Sequence, residues 1–158
     1  MNDAGLDGFG ARFLMMKNFS GFVFCIIFFG GIANAAPSTQ DLYNQCSEDF
    51  FVSSDIVVCL TGKLAESEKY LAREQKHAMM VLDQWDVEQV YKDAAKKKIL
   101  ESNQEFEKYK RDNCNFSMSL MGGSVSNSHE IYEKACRVSL DLHYIEQIDG
   151  DLPFVQSR

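Results

Sequence analysis

The side chains best suited to hold a metal ion are five cysteines and three histidines, and their spacing argues against that use. Zinc sites usually contain short pairs such as Cys-x2-4-Cys or His-x3-5-His. The last four cysteines are instead separated by 13, 55 and 22 residues, with the histidines scattered. We therefore expect no metal, no cofactor, and cysteines that form disulfides. The residues concerned are Cys25, Cys46, Cys59, Cys114, Cys136, His77, His129 and His143.

The acidic and basic residues also lack the arrangements that catalysis requires. A nucleophile needs a neighbouring base, and acid–base chemistry needs groups that the fold brings together in a cleft. Glu68 and Glu74 fall near the apolar side of a predicted helix, where long carboxylates usually reach water. His129-Glu130 lacks the second histidine of a zinc-protease helix. The sequence therefore predicts a protein that is not an enzyme and has no catalytic residue.

An apolar segment near the amino terminus has the three parts of a secretory signal peptide. Lys17 precedes an apolar run over 19–32, and Ala33-x-Ala35 supplies the small side chains that signal peptidase accepts. The run is shorter than the about 20 residues that cross a bilayer as a helix, so we expect no stable membrane span after cleavage. The predicted signal peptide is 1–35, cleaved after Ala35.

The predicted signal peptide also bears on where translation begins and where the protein resides. Residues 1–14 carry two acidic side chains, which are unusual ahead of a signal peptide's apolar core, so we expect a true start at Met15 or Met16. Cleavage leaves 36–158 as one domain, in the periplasm or secreted. Four cysteines remain in an oxidising compartment, and an even set there predicts two disulfides.

The charge balance narrows the class of partner. The chain has 16 Lys+Arg against 23 Asp+Glu, a formal net charge of -7. Nucleic-acid binding depends on attraction to phosphate, which an acidic protein lacks. We therefore exclude nucleic acid as a partner, and the acidic surface favours a cationic protein.

Apolar residues of the mature chain recur every three or four positions, which predicts helices and no strand. The first helix begins after the N-cap Ser38, with Asp41 completing a capping box, and ends near Asp49. The second runs from about 54 to 82. Its apolar stripe consists of Val57, Leu60, Leu64, Leu71, Ala78 and Val81.

Two more helices complete an all-α fold, a long hairpin flanked by two shorter helices. Asp83 to Asp86 offers a turn and a new N-cap, Gly122-Gly123 ends the third helix, and Asn127 with Glu130 starts the fourth. The predicted apolar side of the third helix contains Val87, Tyr91, Ala94, Ile99, Phe106, Tyr109, Asn113, Phe116 and Leu120. That of the fourth contains Ile131, Ala135, Val138, Leu142, Ile145 and Ile148.

Two pairings of the mature cysteines fit such a hairpin. Residues that face each other across an antiparallel hairpin lie symmetrically about its turn. Cys46 and Cys59 centre on the first break, and Cys114 and Cys136 centre on the last loop, which favours local pairing. Cys59 and Cys114 centre near the second turn, so the nested pairing stays open.

The loop before the fourth helix is the most suggestive surface feature. With the local pairing, a bridge between Cys114 and Cys136 would tie its base, and a rigid loop enters a cleft with little ordering cost. The alternative is a plain connection between helices, since Gly and Ser suit such turns without any function. The candidate binding residues are Gly122, Gly123, Ser124, Ser126 and Asn127.

The carboxyl-terminal half contains a distinctive order of residues: an aromatic side chain eight positions before a cysteine, a glycine pair followed by serine, and a second cysteine. These are Phe106, Cys114, Gly122-Gly123-Ser124 and Cys136. In this order the chain resembles the LprI-type lysozyme inhibitor family of small secreted helical domains. The resemblance covers about 46–148. Cys46 and Cys59 match the spacing of the family's amino-terminal cysteine pair. The family's tryptophan corresponds to Phe106, and an arginine of its last helix to Tyr144.

Two functions follow from these patterns. The resemblance implies an interaction protein of the cell envelope that binds a lysozyme, or muramidase, without covalent chemistry and blocks its cleft. The alternative is a helical envelope module that binds another protein or assists assembly under stress. The partner is then a lysozyme or another cationic envelope protein.

Overall fold

The computed structural model of the protein describes residues 35–123 and 126–156. Within these ranges it contains helices and no strand, which confirms the all-α prediction. The predicted signal peptide, with Cys25 and the alternative starts Met15 and Met16, lies outside the described residues apart from Ala35. The helices are α1 Thr39–Asp49, α2 Ser53–Gln84, α3 Gln89–Ser119, α4 Ser126–Asp151 and α5 Pro153–Gln156.

α1 begins at the predicted capping box. The backbone N–H of Asp41 donates to Ser38 Oγ at 3.2 Å, and the backbone N–H of Ser38 donates to Asp41 Oδ2 at 3.0 Å. Two donors that a helix start leaves unpaired are thereby satisfied. Ser38 Oγ also donates to Asp41 Oδ2 at 2.6 Å. This bond, followed by the one from the Ser38 backbone N–H, favours the ionised carboxylate and holds the pKa of Asp41 below its ordinary value.

α2 and α4 supply most of the buried apolar residues, as their stripes predict. One cluster joins α1, α2 and the first half of α4, and a second joins the far half of α2 with the end of α4. The first contains Leu42, Cys46, Ile56, Leu60, Leu64, Ile131, Ala135 and Val138. The second contains Leu71, Ala78, Val81, Tyr144, Ile148 and Leu152. α5, which the sequence analysis did not predict, starts at Pro153, whose fixed φ suits a first helical turn.

α3 contradicts its predicted apolar side. Its buried residues are Lys110 and Cys114, with Ile99 and Phe106 partly buried. The predicted stripe was wrong for Tyr91, Tyr109, Phe116 and Leu120, which are all more than half exposed. α3 touches the bundle along a narrow line, because α2 and α4 already cover each other's apolar faces.

The predicted ends of α3 also need correction. The helix is capped by Glu88 rather than by a residue of the Asp83 to Asp86 turn, and Glu88 makes no side-chain capping bond. It ends at Ser119, before the glycine pair, and the last turn is closed by Met121 N–H donating to Met118 O at 3.0 Å. Gly122 follows with a φ of 58°, the left-handed geometry for which glycine was expected.

The cysteines form the local pairs. Cys46 is bonded to Cys59, and Cys114 is bonded to Cys136. The nested alternative through Cys59 and Cys114 is therefore not the pairing present. In the chain-entropy account, closing loops of this size stabilises a fold by about 3 kcal/mol each.

A buried ion pair links α3 to α4. Lys110 Nζ lies 2.7 Å from Asp141 Oδ1, with side-chain exposures of 4% and 0%. Ser67 of α2 donates to the other carboxylate oxygen at 2.9 Å, and Glu107 accepts from Lys110 at 3.0 Å. Both oxygens of Asp141 thus have donors, as a buried carboxylate requires.

We expect removal of one partner of this pair to be strongly destabilising. Lys110→Met leaves the Asp141 carboxylate buried without its counter-ion, which typically costs about 3–5 kcal/mol. The double variant Lys110→Met, Asp141→Leu removes both charges and should recover most of that loss. Urea unfolding followed by circular dichroism measures both. Additive losses in the double variant would contradict this account.

Candidate functional site

Both disulfide-closed connections lie at one end of the helical bundle. α2 and α3 form an antiparallel hairpin whose turn, 85–88, lies at the opposite end. The end of α1, the start of α2, the end of α3 and the start of α4 therefore meet. We call this region, comprising 50–52, 120–123 and 126–127 with their flanking helix ends, the disulfide end. Of the predicted binding residues it contains Gly122, Gly123, Ser126 and Asn127.

The predicted binding loop is short and partly helical. Gly122 and Gly123 are exposed, and a Cβ added at Gly123 would meet no atom within 4 Å. Asn127 lies inside the first turn of α4 and is half-buried, so it is not the residue before the helix as predicted. Ser124 and the side chain of Ser126 lie outside the described residues.

Sequence reasoning missed an apolar surface at the same end. The connection between α1 and α2 was treated as a break, yet it exposes Phe51 by 96%, Val52 by 58% and Phe50 by 39%. Phe116 and Leu120, near the end of α3, are also exposed. Three apolar residues in succession without a periodic pattern are the signal that was available.

A groove runs between α3 and α4. Its volume is about 360 Å³, and its floor includes Phe106 stacked on Tyr144 with ring centroids 4.1 Å apart. The Tyr144 hydroxyl donates to Asn103 Oδ1 and lies 2.9 Å from Ser102 Oγ. With its hydroxyl satisfied, Tyr144 acts as a packing residue here. The full lining is Ser102, Glu105, Phe106, Tyr109, Leu140, His143, Tyr144 and Gln147.

The carboxylates considered for acid chemistry are held by cations. Glu68 accepts from Arg137 at 2.9 Å, and Glu74 accepts from Arg73 at 2.7 Å with His77 at 3.4 Å. The bond from Arg73 is the main reason that the pKa of Glu74 lies below its ordinary value. Carboxylates paired with arginine in this way serve structure better than proton transfer.

Within residues 35–123 and 126–156, no three His, Cys, Asp or Glu side chains are grouped so as to hold a metal ion. In the same part of the chain, no helix has the length and apolarity needed to cross a membrane.

A known protein family matches the chain over a range that includes the disulfide end. A model for the family described as lysozyme inhibitor LprI matches residues 37–148, more than two thirds of the chain. The chain belongs to the LprI lysozyme inhibitor family. It matches no curated protein and no solved structure.

Phe106 and Tyr144 are far apart in the sequence of this LprI domain, and the sequence analysis expected them to differ from the family's tryptophan and last-helix arginine. In the structure these two side chains are the stacked pair in the groove. A change at one position would therefore alter the packing of the other.

In this LprI domain, Asp149 near the end of α4 interacts electrostatically with Glu74 of α2. Burial and, secondly, the negative charge of Glu74 raise the pKa of Asp149 above its ordinary 3.8, while His77 and Arg73 oppose the shift. The folded state therefore favours protonated Asp149. Stability from this group is present below its unfolded pKa and is lost as pH rises through the folded value.

We expect Asp149→Asn to stabilise the protein at neutral pH. The amide removes a charge that the folded state disfavours, so the melting temperature should exceed that of the parent at pH 7. Below about pH 3.8 the parent carboxyl is itself protonated, so the difference should disappear. Thermal melts at both pH values test this. An equal shift at both would show that the charge is not the cause.

Proposed function

We propose that this protein is a non-covalent lysozyme inhibitor of the cell envelope. The observation that carries the proposal is the LprI match over 37–148, which spans both disulfides and both connections at the disulfide end. An inhibitor works by occupying a cleft, so it requires a rigid surface and no catalytic group of its own. Cofactors and metals have no part in the proposal.

The disulfide end is the surface that best suits cleft binding. Each of its connections is closed by a covalent bridge, so little conformational entropy remains to be lost on binding. The loop at Gly122 and Gly123 offers backbone that a partner can approach closely, because no side chain blocks it. We assign Ser124, Ser126 and Asn127 to hydrogen bonds with groups that normally hold sugar hydroxyls.

The net charge supports a cationic partner. With a formal net charge of -7, the protein attracts a basic lysozyme over distances up to the Debye length, about 8–10 Å in ordinary buffers. Such attraction raises the association rate more than it slows dissociation. The inhibitor therefore binds quickly at low salt.

We propose export through the predicted signal peptide, because the disulfides require an oxidising compartment. The expected product is the chain beginning at Ala36, after cleavage behind Ala35. Intact-mass analysis of protein extracted from the envelope measures this directly. A mass that still includes 19–32 would refute the cleavage, and reduced cysteines throughout would refute the location.

Bulk at Gly123 should weaken inhibition without unfolding the protein. Gly123→Tyr adds a ring in open space, where no backbone strain arises, and it obstructs the approach of the loop to a cleft. Gly150→Tyr at the far end of α4 is the matched control, since its Cβ is equally unobstructed. Inhibition of animal-type lysozyme, with melting temperature alongside, should separate the two variants by about tenfold or more in inhibition constant, the ratio for a loss of 1.4 kcal/mol.

The same assay tests the charge component. Raising salt should lower the association rate of parent and Gly123→Tyr alike, because screening acts on the whole surface. If the protein leaves animal, invertebrate and phage lysozymes active at micromolar concentration, inhibition is refuted. The envelope module that binds another protein or assists assembly then replaces it.

A further inference from the structure

The connection between α1 and α2 is an apolar projection on a rigid base. We call Phe50, Phe51 and Val52 the apolar tip. Phe51 is 96% exposed, so its ring contributes almost nothing to the core. Isolated exposed apolar residues are ordinary. Three in succession on a solvated connection are unusual unless they bind a partner.

The backbone on both sides of the Phe51 ring is fixed. Phe50 N–H donates to Cys46 O at 3.1 Å, and Asp55 N–H donates to Val52 O at 2.9 Å. The bridge from Cys46 to Cys59 closes the segment. Phe51 therefore has only its two side-chain torsions to lose on binding, which suits an anchor residue.

The charged side chains on the chain segment that carries the tip are all negative. Glu48, Asp49 and Asp55 flank it and are exposed, and the sequence from 36 to 62 contains no lysine or arginine. Glu48 and Asp49 occupy the last turn of α1, where the helix dipole disfavours anions. Folding gains nothing from carboxylates there, so their position also points to a partner.

This charge pattern selects the kind of partner. Membrane surfaces carry anionic headgroups and attract apolar segments that are flanked by lysine and arginine. A tip surrounded by carboxylates is repelled by such a surface. A protein pocket with apolar walls and a cationic rim complements both features.

We propose that the apolar tip inserts into an apolar pocket in the cleft of a cationic lysozyme, with Phe51 as the anchor. Glu48, Asp49 and Asp55 pair with lysine or arginine at the pocket's rim. The inference rests on the proposed function and assigns its main binding energy to the α1–α2 connection rather than to the glycine loop.

The test compares Phe51→Ser with Phe154→Ser in the full protein. Phe154 is 74% exposed on α5, at the opposite end of the bundle, so it matches the change in residue type and exposure. Inhibition of animal-type lysozyme should weaken by about 30-fold or more for Phe51→Ser, the size of effect shown by an interface anchor. Phe154→Ser should inhibit like the parent, and neither variant should melt earlier.

Neutralising two of the carboxylates that flank the apolar tip gives an independent measurement. Glu48→Gln with Asp49→Asn should slow association, and this loss should shrink as salt rises, whereas the loss from Phe51→Ser should persist. Equal inhibition by parent and Phe51→Ser would overturn the inference while leaving lysozyme inhibition intact. A parent protein that inhibits no lysozyme would overturn the proposed function and this inference together.

A vesicle assay tests the remaining alternative, that the apolar tip contacts lipid. The parent and Phe51→Ser are sedimented with vesicles of phosphatidylethanolamine and phosphatidylglycerol. The inference expects both to stay in the supernatant. Binding of the parent that is lost in Phe51→Ser, with inhibition unchanged, would identify the tip as a lipid contact and overturn the protein pocket.

Discussion

The fold depends on how α3 is attached, and the attachment is mainly ionic and covalent. Lys110 and Cys114 are its buried residues, and each is bonded to α4, through Asp141 and Cys136 respectively. Burying a charge pair is costly unless every lone pair and proton finds a partner. Ser67 supplies the missing donor from α2, so one polar centre fixes three helices in register.

This attachment leaves much of α3 available for other contacts. Lys110 Nζ lies 5.3 Å from the centre of the Phe106 ring, which stacks on Tyr144 and forms the groove floor. An α3 held by an apolar stripe would bury Tyr91, Tyr109 and Phe116, which are instead exposed. Because a lysine holds it instead, the helix exposes aromatic residues along its length while its end stays fixed beside α4.

The sequence predicted elements whose burial is local and periodic. The stripes of α2 and α4, the capping box at Ser38 and the local cysteine pairs depend on neighbours a few residues away or on symmetry about a turn. Lys110 and Asp141 were not predicted, because a lysine and an aspartate 31 positions apart resemble solvated residues until the fold places them together. The α3 stripe was wrong for a related reason: periodicity reports an apolar face but not whether a partner covers it.

At the disulfide end, too, the sequence predicted only some of the candidate binding residues. Its polar loop could be predicted from composition, since glycine and serine between helices are a recognised turn pattern. The exposure of Phe51 could not be predicted, because the sequence does not show which of Phe50, Phe51 and Ile56 is buried in the core. The structure buries Ile56 and leaves Phe51 in solvent. A residue that the core does not use, on a backbone that a disulfide fixes, can change without loss of the fold, so the requirements of folding do not determine its identity.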